Sequence, residues 1–273
     1  SEYVNNWEAM GNGIYRAACP VYPQMVFYNG QAQTLARYPN SGFLFTDGAN
    51  ANNGFSDAAL PGTGNFYEGA GVHIRTARYL YEERIVSVQV NSYLGFNSPT
   101  AANIVAGAGY FLTGKSAFAD SATEYFYDAQ NQQLYLKTAN GLAPGNNTVE
   151  AARYDNGIKL ESSANIVLSH IKINHQLKNG INIYGAPTSG LTVDNCSLEN
   201  IYLYAITGSN KSNVIISNSR FYDIHCEALY LGGFVNVSIN DNIFKRIGLL
   251  TGRATDNKIA YKCIDMNGSS GSI

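Results

Sequence analysis

Gly157-Ile158-Lys159-Leu160, Gly180-Ile181-Asn182-Ile183, Ala205-Ile206-Thr207-Gly208, Ala228-Leu229-Tyr230-Leu231 and Cys263-Ile264-Asp265-Met266 decide the reading of this chain. Each segment opens on a small residue and continues in apolar alternation, and they recur at intervals of 23, 25, 23 and 35 residues. The longest interval points to an insertion around Leu250 to Tyr261. A second strand repeats inside each unit: Ile166-Val167-Leu168-Ser169-His170, Leu191-Thr192-Val193-Asp194-Asn195, Val214-Ile215-Ile216-Ser217-Asn218 and Val237-Ser238-Ile239-Asn240-Asp241. A third apolar position follows at Ile173, Leu198, Phe221 and Phe244. Three short strands per 23 to 25 residues form one coil of a parallel β-helix, in which each inward side chain stacks on its equivalent one rung, about 4.8 Å, away. Residues 151–273 are therefore expected to form about four to five coils.

The column His170, Asn195, Asn218, Asp241 falls at the turn after the second strand, where Asn side chains bond the backbone of neighbouring turns. Its expected role is structural, with His170 as a cap. Residues 1–150 lack the period. They read as an antiparallel β-rich accessory domain, with strands at Ile14-Tyr15-Arg16, Met25-Val26-Phe27-Tyr28, Val72-His73-Ile74-Arg75, Ile85 to Val90, Tyr125-Phe126-Tyr127 and Leu134-Tyr135-Leu136. Asn29-Gly30 signals a type I′ hairpin, and the stretch from Ser41 to Gly69 is read as long loops.

Composition agrees with an all-β class. Among 273 residues there are 27 Gly and 20 Tyr but 7 Pro and 3 Met. Charged residues make up 14%, with a net charge of −2, which argues against nucleic acid or an anionic membrane as partner. No run of about 18 apolar residues is present, so no membrane span is expected. The chain opens on Ser1-Glu2-Tyr3, so any leader is read as removed or never included. Cys19, Cys196, Cys226 and Cys263 lie far apart without a CxxC pair and are read as free thiols; neither a metal nor another cofactor is expected.

Val26-Phe27-Tyr28-Asn29-Gly30, Ala36-Arg37-Tyr38-Pro39-Asn40 and Glu124-Tyr125-Phe126-Tyr127-Asp128 with Leu134-Tyr135-Leu136, followed by the coils, resemble secreted bacterial right-handed parallel β-helix proteins of the pectate-lyase-like superfamily. Many of these are glycoside hydrolases or polysaccharide lyases, and in that group a β-rich domain is inserted after the first coils. The resemblance implies a secreted or cell-surface bacterial protein whose partner is a polysaccharide or oligosaccharide. Relatives carry more coils on both sides, whereas this chain starts inside the accessory domain and stops just after a coil's first strand. It is accordingly expected to be part of a longer parent chain.

In a β-helix the outward residues of one sheet line up into a groove as long as an oligosaccharide. The expected outward column is Lys159, Asn182, Thr207, Tyr230 and Asp265, flanked by Tyr204, Glu227 and Lys262, with His225 just before. Glycosidic cleavage needs two carboxyl groups, and Glu227 and Asp265 lie on adjacent rungs three residues apart in register, about 10 Å along the strand and close to the inverting geometry. A lyase would instead use Lys262 or His225 as base, with Arg253 or Lys258 stabilising the enolate-like charge. Tyr204 and Tyr230 would stack on sugars, and Asn182, Thr207 and Arg253 would hydrogen-bond them. Three readings stay open: a glycoside hydrolase, a non-catalytic carbohydrate-binding or adhesion module, and a polysaccharide lyase. Glu227 and Lys262 also read as a surface salt bridge. In the first half Arg37, Glu124 and Asp128 are expected to form a domain-locking ion pair, and His73 and His175 are read as structural.

Overall fold

The computed structural model describes residues 1–48, 51–62, 64–77, 80–185, 189–249 and 262–273. The second half is a solenoid of three parallel sheets. The first stacks Asn156–Glu161, Asn179–Tyr184, Tyr204–Ser209, Glu227–Gly232 and Ile264–Asp265 in chain order. The second stacks Ala164–Ser169, Ser189–Asp194, Ser212–Ser217, Val235–Asn240 and Gly271–Ser272. The third stacks Lys172–Asn174, Ser197–Ile201, Arg220–Ile224 and Ile243–Ile247. Four coils are complete, and the chain reaches a second strand of the fifth at Gly271–Ser272, one element beyond the expected stop.

Period-two alternation sets which side chains face inward. Ile181, Ile183, Ile206, Leu229 and Leu231 from the first sheet, Leu191, Val193, Val214 and Ile216 from the second, and Leu198 and Phe221 from the third fill one continuous core. Phe221 stacks on Phe244 one rung on, with ring centroids 4.8 Å apart. Small residues serve the tight inner corner. A Cβ on Gly180 would lie 2.6 Å from the Ala205 carbonyl oxygen and 2.8 Å from Ile201 Cδ1, so this rung closes only around hydrogen.

The corners turn through left-handed backbone, which Asn and Asp tolerate better than other side chains do. The column His170, Asn195, Asn218, Asp241 has φ between 49° and 57°. Its amides bond side chains of the neighbouring rung rather than the expected backbone: Asn195 Nδ2 lies 2.8 Å from His170 Nε2, and Asn218 Nδ2 donates to Asp194 Oδ1 at 2.9 Å. A parallel column runs through Asn165, Gly190, Asn213 and Asn236, and another through His175, Asn200, Asp223 and Arg246.

The first half holds three further sheets. Glu2–Val4, Val149–Ala151, Val26–Tyr28 and Gln31–Ala32 form one, with Asn29 and Gly30 both at positive φ in the hairpin turn. Glu8–Gly11, Ile14–Ala18, Gln133–Lys137, Glu124–Asp128 and Thr34–Leu35 form the next, whose last pair is parallel. The third is built on Gly109–Thr113, Gly71–Ala77, Leu80–Val90 and Tyr93–Phe96. Arg37–Tyr38 is added at the edge of Gly109–Thr113, and the sheet also takes in Leu44–Phe45 and Gly54–Ser56, so the stretch expected as loops contributes two short strands.

Arg37, Glu124 and Asp128 do not form the expected ion pair with one another. Arg37 lies over the Phe111 ring at 3.8 Å and donates to the Pro39 carbonyl at 2.9 Å. Glu124 accepts from the Ser121 backbone, and Asp128 from the Gln130 and Asn131 backbone of its own turn. The bond joining the halves is instead an apolar seam of Met25, Phe27, Ala152, Tyr202 and Cys226, with Leu177 and Tyr204 packed against it. His175 closes the seam from its corner: its ring stacks on Phe27 at 3.7 Å and its Nδ1 lies 3.2 Å from Glu150 Oε2. None of the four cysteines is in a disulfide, and three of them are buried.

Candidate active site

The register of the first sheet places Lys159, Asn182, Thr207, Tyr230 and Asp265 in one column, each paired with the next. The inward pattern of Ile158, Leu160, Ile181, Ile183, Leu229 and Leu231 leaves these residues on the outer face. Tyr230 is exposed, and Asn182, Thr207 and Asp265 are half-buried. The neighbouring column runs Asn156, Asn179, Tyr204, Glu227, and its first two members join by an Asn179 Nδ2 to Asn156 Oδ1 bond of 2.8 Å. Tyr204 and Tyr230 stack across adjacent rungs, with ring centroids 5.2 Å apart and planes at 28°.

Two candidate carboxylates differ from the sequence expectation. Glu227 is only 3% exposed, so it does not stand on the open face beside Tyr230. Its column lies against the seam, where the preceding residue Cys226 is buried among Met25, Phe27 and Tyr202. Asp265 lies 2.6 Å from Lys262 Nζ, three residues back, and its side chain is 14% exposed. The expected Glu227–Lys262 surface bridge is thus replaced by a Lys262–Asp265 pair. That hydrogen bond to Asp265 holds the Lys262 ammonium above its ordinary range, with Glu227 adding attraction. Burial pushes the Tyr204 phenol up, and Cys226, Glu227, Tyr230 and Asp265 push the same way. Tyr204 therefore stays neutral.

His225 is half-buried at the edge of the column, its ring 6.1 Å from that of Tyr202. Register leaves Glu227 and Asp265 on adjacent rungs, three residues apart, because Tyr230 pairs with Asp265. Arg253 and Lys258 lie outside the described residues. Among the described residues no group of three or more His, Cys, Asp or Glu side chains is placed to hold a metal ion, and no helix is long and apolar enough to cross a membrane.

Sequence reading overlooked a second convergence in the first half. Tyr22, Gln24, His73, Glu83, Thr113 and the solenoid's Tyr202 line a pocket of about 280 Å³. The available signal was cross-strand: His73 pairs with Glu83 and with Phe111, and Gly71 pairs with Thr113, so all face one way.

Comparison with known proteins follows the same lines. No curated protein matches the sequence. A solved structure titled "Glycoside hydrolase" superposes with a TM-score of 0.55 at 12% identity, covering 87% of this chain and 62% of that one. The chain thus spans less than two thirds of that structure, and the likeness is one of fold. The catalytic domain of a GH87 alpha-1,3-glucanase in complex with nigerose, also 12% identical, aligns over 95% of this chain and 54% of that one with a TM-score of 0.16, too low to carry an argument. The family described as "Right handed beta helix region" matches residues 125–271, from the last strands of the accessory half through the fifth coil. A match over more than half of the sequence, together with four stacked three-sheet coils, makes this chain a member of the right-handed β-helix family.

Proposed function

We propose that this is a carbohydrate-active protein that lays a polysaccharide along the outer column of the first sheet, and that within a longer parent it acts as a glycoside hydrolase. The observation that carries the reading is the Tyr204–Tyr230 stack beside Asp265, Lys262 and the buried Glu227. An aromatic platform next to hydrogen-bonding side chains suits a sugar ring, whose faces are apolar and whose rim is polar. In the hydrolytic reading Glu227 and Asp265 are the carboxyl pair, at a register spacing close to that of inverting enzymes. In that reading Glu227 acts as the acid and Asp265 as the base.

One observation favours the second reading, a binding module without catalysis. Asp265 already accepts from Lys262 at 2.6 Å, and a base so paired must release that contact before it can activate water. A screen of neutral and acidic polysaccharides with product detection, run on the intact parent, separates the two. Hydrolysis predicts a loss of turnover of at least roughly 100-fold in both Glu227→Gln and Asp265→Asn. Unchanged turnover in both variants removes the site assignment. Binding that persists in them without any product, and that Tyr230→Ala abolishes, selects the module.

A further inference from the structure

We propose that a pocket on the sheet of Gly71–Ala77 and Gly109–Thr113 binds a planar aromatic carboxylate, at a site separate from the first-sheet trough. Phe43, Phe45, Arg75, Tyr81, Val105 and Gly109 are among the residues that line it. Its wall is set by strand register. Arg75 pairs with Tyr81 on one side, and Gly109 pairs with Phe45 on the other. Ile74 pairs with Tyr110, so one residue further along these antiparallel strands Gly109 falls beside Arg75. A row across four strands therefore reads Tyr81, Arg75, Gly109, Phe45. Ile74 and Tyr110 alternate into the core and leave this row on the opposite face.

The row has one gap and an aromatic backing. Gly109 carries no side chain, and a Cβ there would already sit 3.6 Å from Phe43, so a larger residue would fill the space between the guanidinium and the phenyl ring. Phe43 stacks on Tyr81 with centroids 6.3 Å apart and planes at 29°, and it tilts against Phe111 at 6.1 Å. Phe111 is buried, and the Arg37 guanidinium lies 3.8 Å from its centroid, so Phe43 rests on a fixed footing. Phe45 by contrast is 61% exposed. A flat ligand laid against it removes apolar area from water.

The chemistry of the lining selects the ligand. Arg16, Arg84, Arg153 and Arg246 each pair with a carboxylate of this chain. Among the described residues Arg75 has no such partner, and no Asp or Glu lines the pocket. Its planar fork matches a carboxylate through two parallel N–H bonds. The other polar side-chain groups on the wall are the hydroxyls of Tyr81 and Thr76, and Thr76 Oγ1 already donates to Glu82 Oε1 at 2.6 Å. A sugar would bury a rim of hydroxyls against Phe43, Phe45 and Val105 with too few partners, at a cost for each. A ring that is apolar except for one carboxylate leaves no such group unmatched. At about 370 Å³ the cavity lies within the usual range of ligand pockets, about 300–1,000 Å³, with room for one ring and a short arm.

The test is ligand-observed NMR titration of the full chain with trans-cinnamate, its uncharged isostere trans-cinnamamide, and methyl glucoside. The expected result is saturable binding of cinnamate with a Kd on the order of 1 mM, binding of the amide weaker by roughly tenfold or more, and no saturation by the glucoside. Arg75→Gln should abolish the preference for acid over amide, and Phe45→Ala should weaken both ligands. Both side chains are exposed, so neither substitution opens the core. No saturable cinnamate, equal affinity for acid and amide in the parent, or binding indifferent to both Arg75→Gln and Phe45→Ala would each overturn the proposal. Binding lost in Tyr230→Ala but kept in Phe45→Ala would place the ligand in the trough and overturn it as well.

Discussion

Gly180→Ala and Gly232→Ala make the same chemical change on one sheet of the solenoid, yet they should move stability in opposite directions. A Cβ at Gly180 meets the Ala205 carbonyl oxygen at 2.6 Å and the Ile201 and Leu198 methyls at 2.8 Å. Backbone of the next rung cannot retreat without opening the Ile181–Ile206 ladder. At Gly232 the same atom has nothing within 4 Å, and neither glycine has positive φ. Both variants stiffen the unfolded chain equally, a gain of about 0.4–1 kcal/mol. They should therefore differ by the overpacking cost alone, about 1–3 kcal/mol. Urea unfolding followed by far-UV circular dichroism measures this. With m of about 3 kcal/mol/M the midpoints should separate by roughly 0.3–1 M, with Gly232→Ala at or above the parent and Gly180→Ala below it. Coincident midpoints would mean that the small-residue corner is slack and that the recurring Gly and Ala do not set the diameter of the coil.

Two further outcomes follow from the core and the seam. Phe221→Ala removes a fully buried ring and its stack on Phe244, and should cost about 3–5 kcal/mol in the same assay. Burial in the seam lowers the His175 pKa despite Glu150, and Glu150 is itself held low by the Ser1 hydroxyl and His175 against the upward push of burial. The unfolded chain thus binds protons first at both groups, so this stability is present above the unfolded His value of 6.5 and falls as pH drops below it, with Glu150 adding a second loss below 4.5. Thermal melts at pH 7.5 and 5.5 should show a drop that His175→Gln largely abolishes; an equal drop in the variant would place the sensitive group elsewhere.

The solenoid was legible because its period is carried by side chains with no alternative explanation. Ile181, Ile206 and Leu229 stack as the intervals of 25 and 23 residues require. One corner was read from His170, Asn195, Asn218 and Asp241, and the Asn165, Asn213 and Asn236 column was equally available at the same spacing. What escaped was depth. Tyr230 and Glu227 alternate as outward and flanking positions in any pattern argument, but only the seam decides that one is exposed and the other buried. Seam residues come from segments more than a hundred apart, such as Phe27 and Tyr202, and no local period links them. The pocket around His73 was hidden for the same reason, since Thr113 and Glu83 reach it only through antiparallel register.

The His175–Phe27 contact also bears on how such proteins can be taken apart. Because Met25 and Phe27 roof Tyr202 and Cys226, cutting the chain near residue 150 would strip a greasy patch bare on the flank of the coils. The accessory half acts as a permanent sidewall, and grafting it onto another solenoid would require transplanting its footing of Tyr202, Cys226 and the corner histidine along with it.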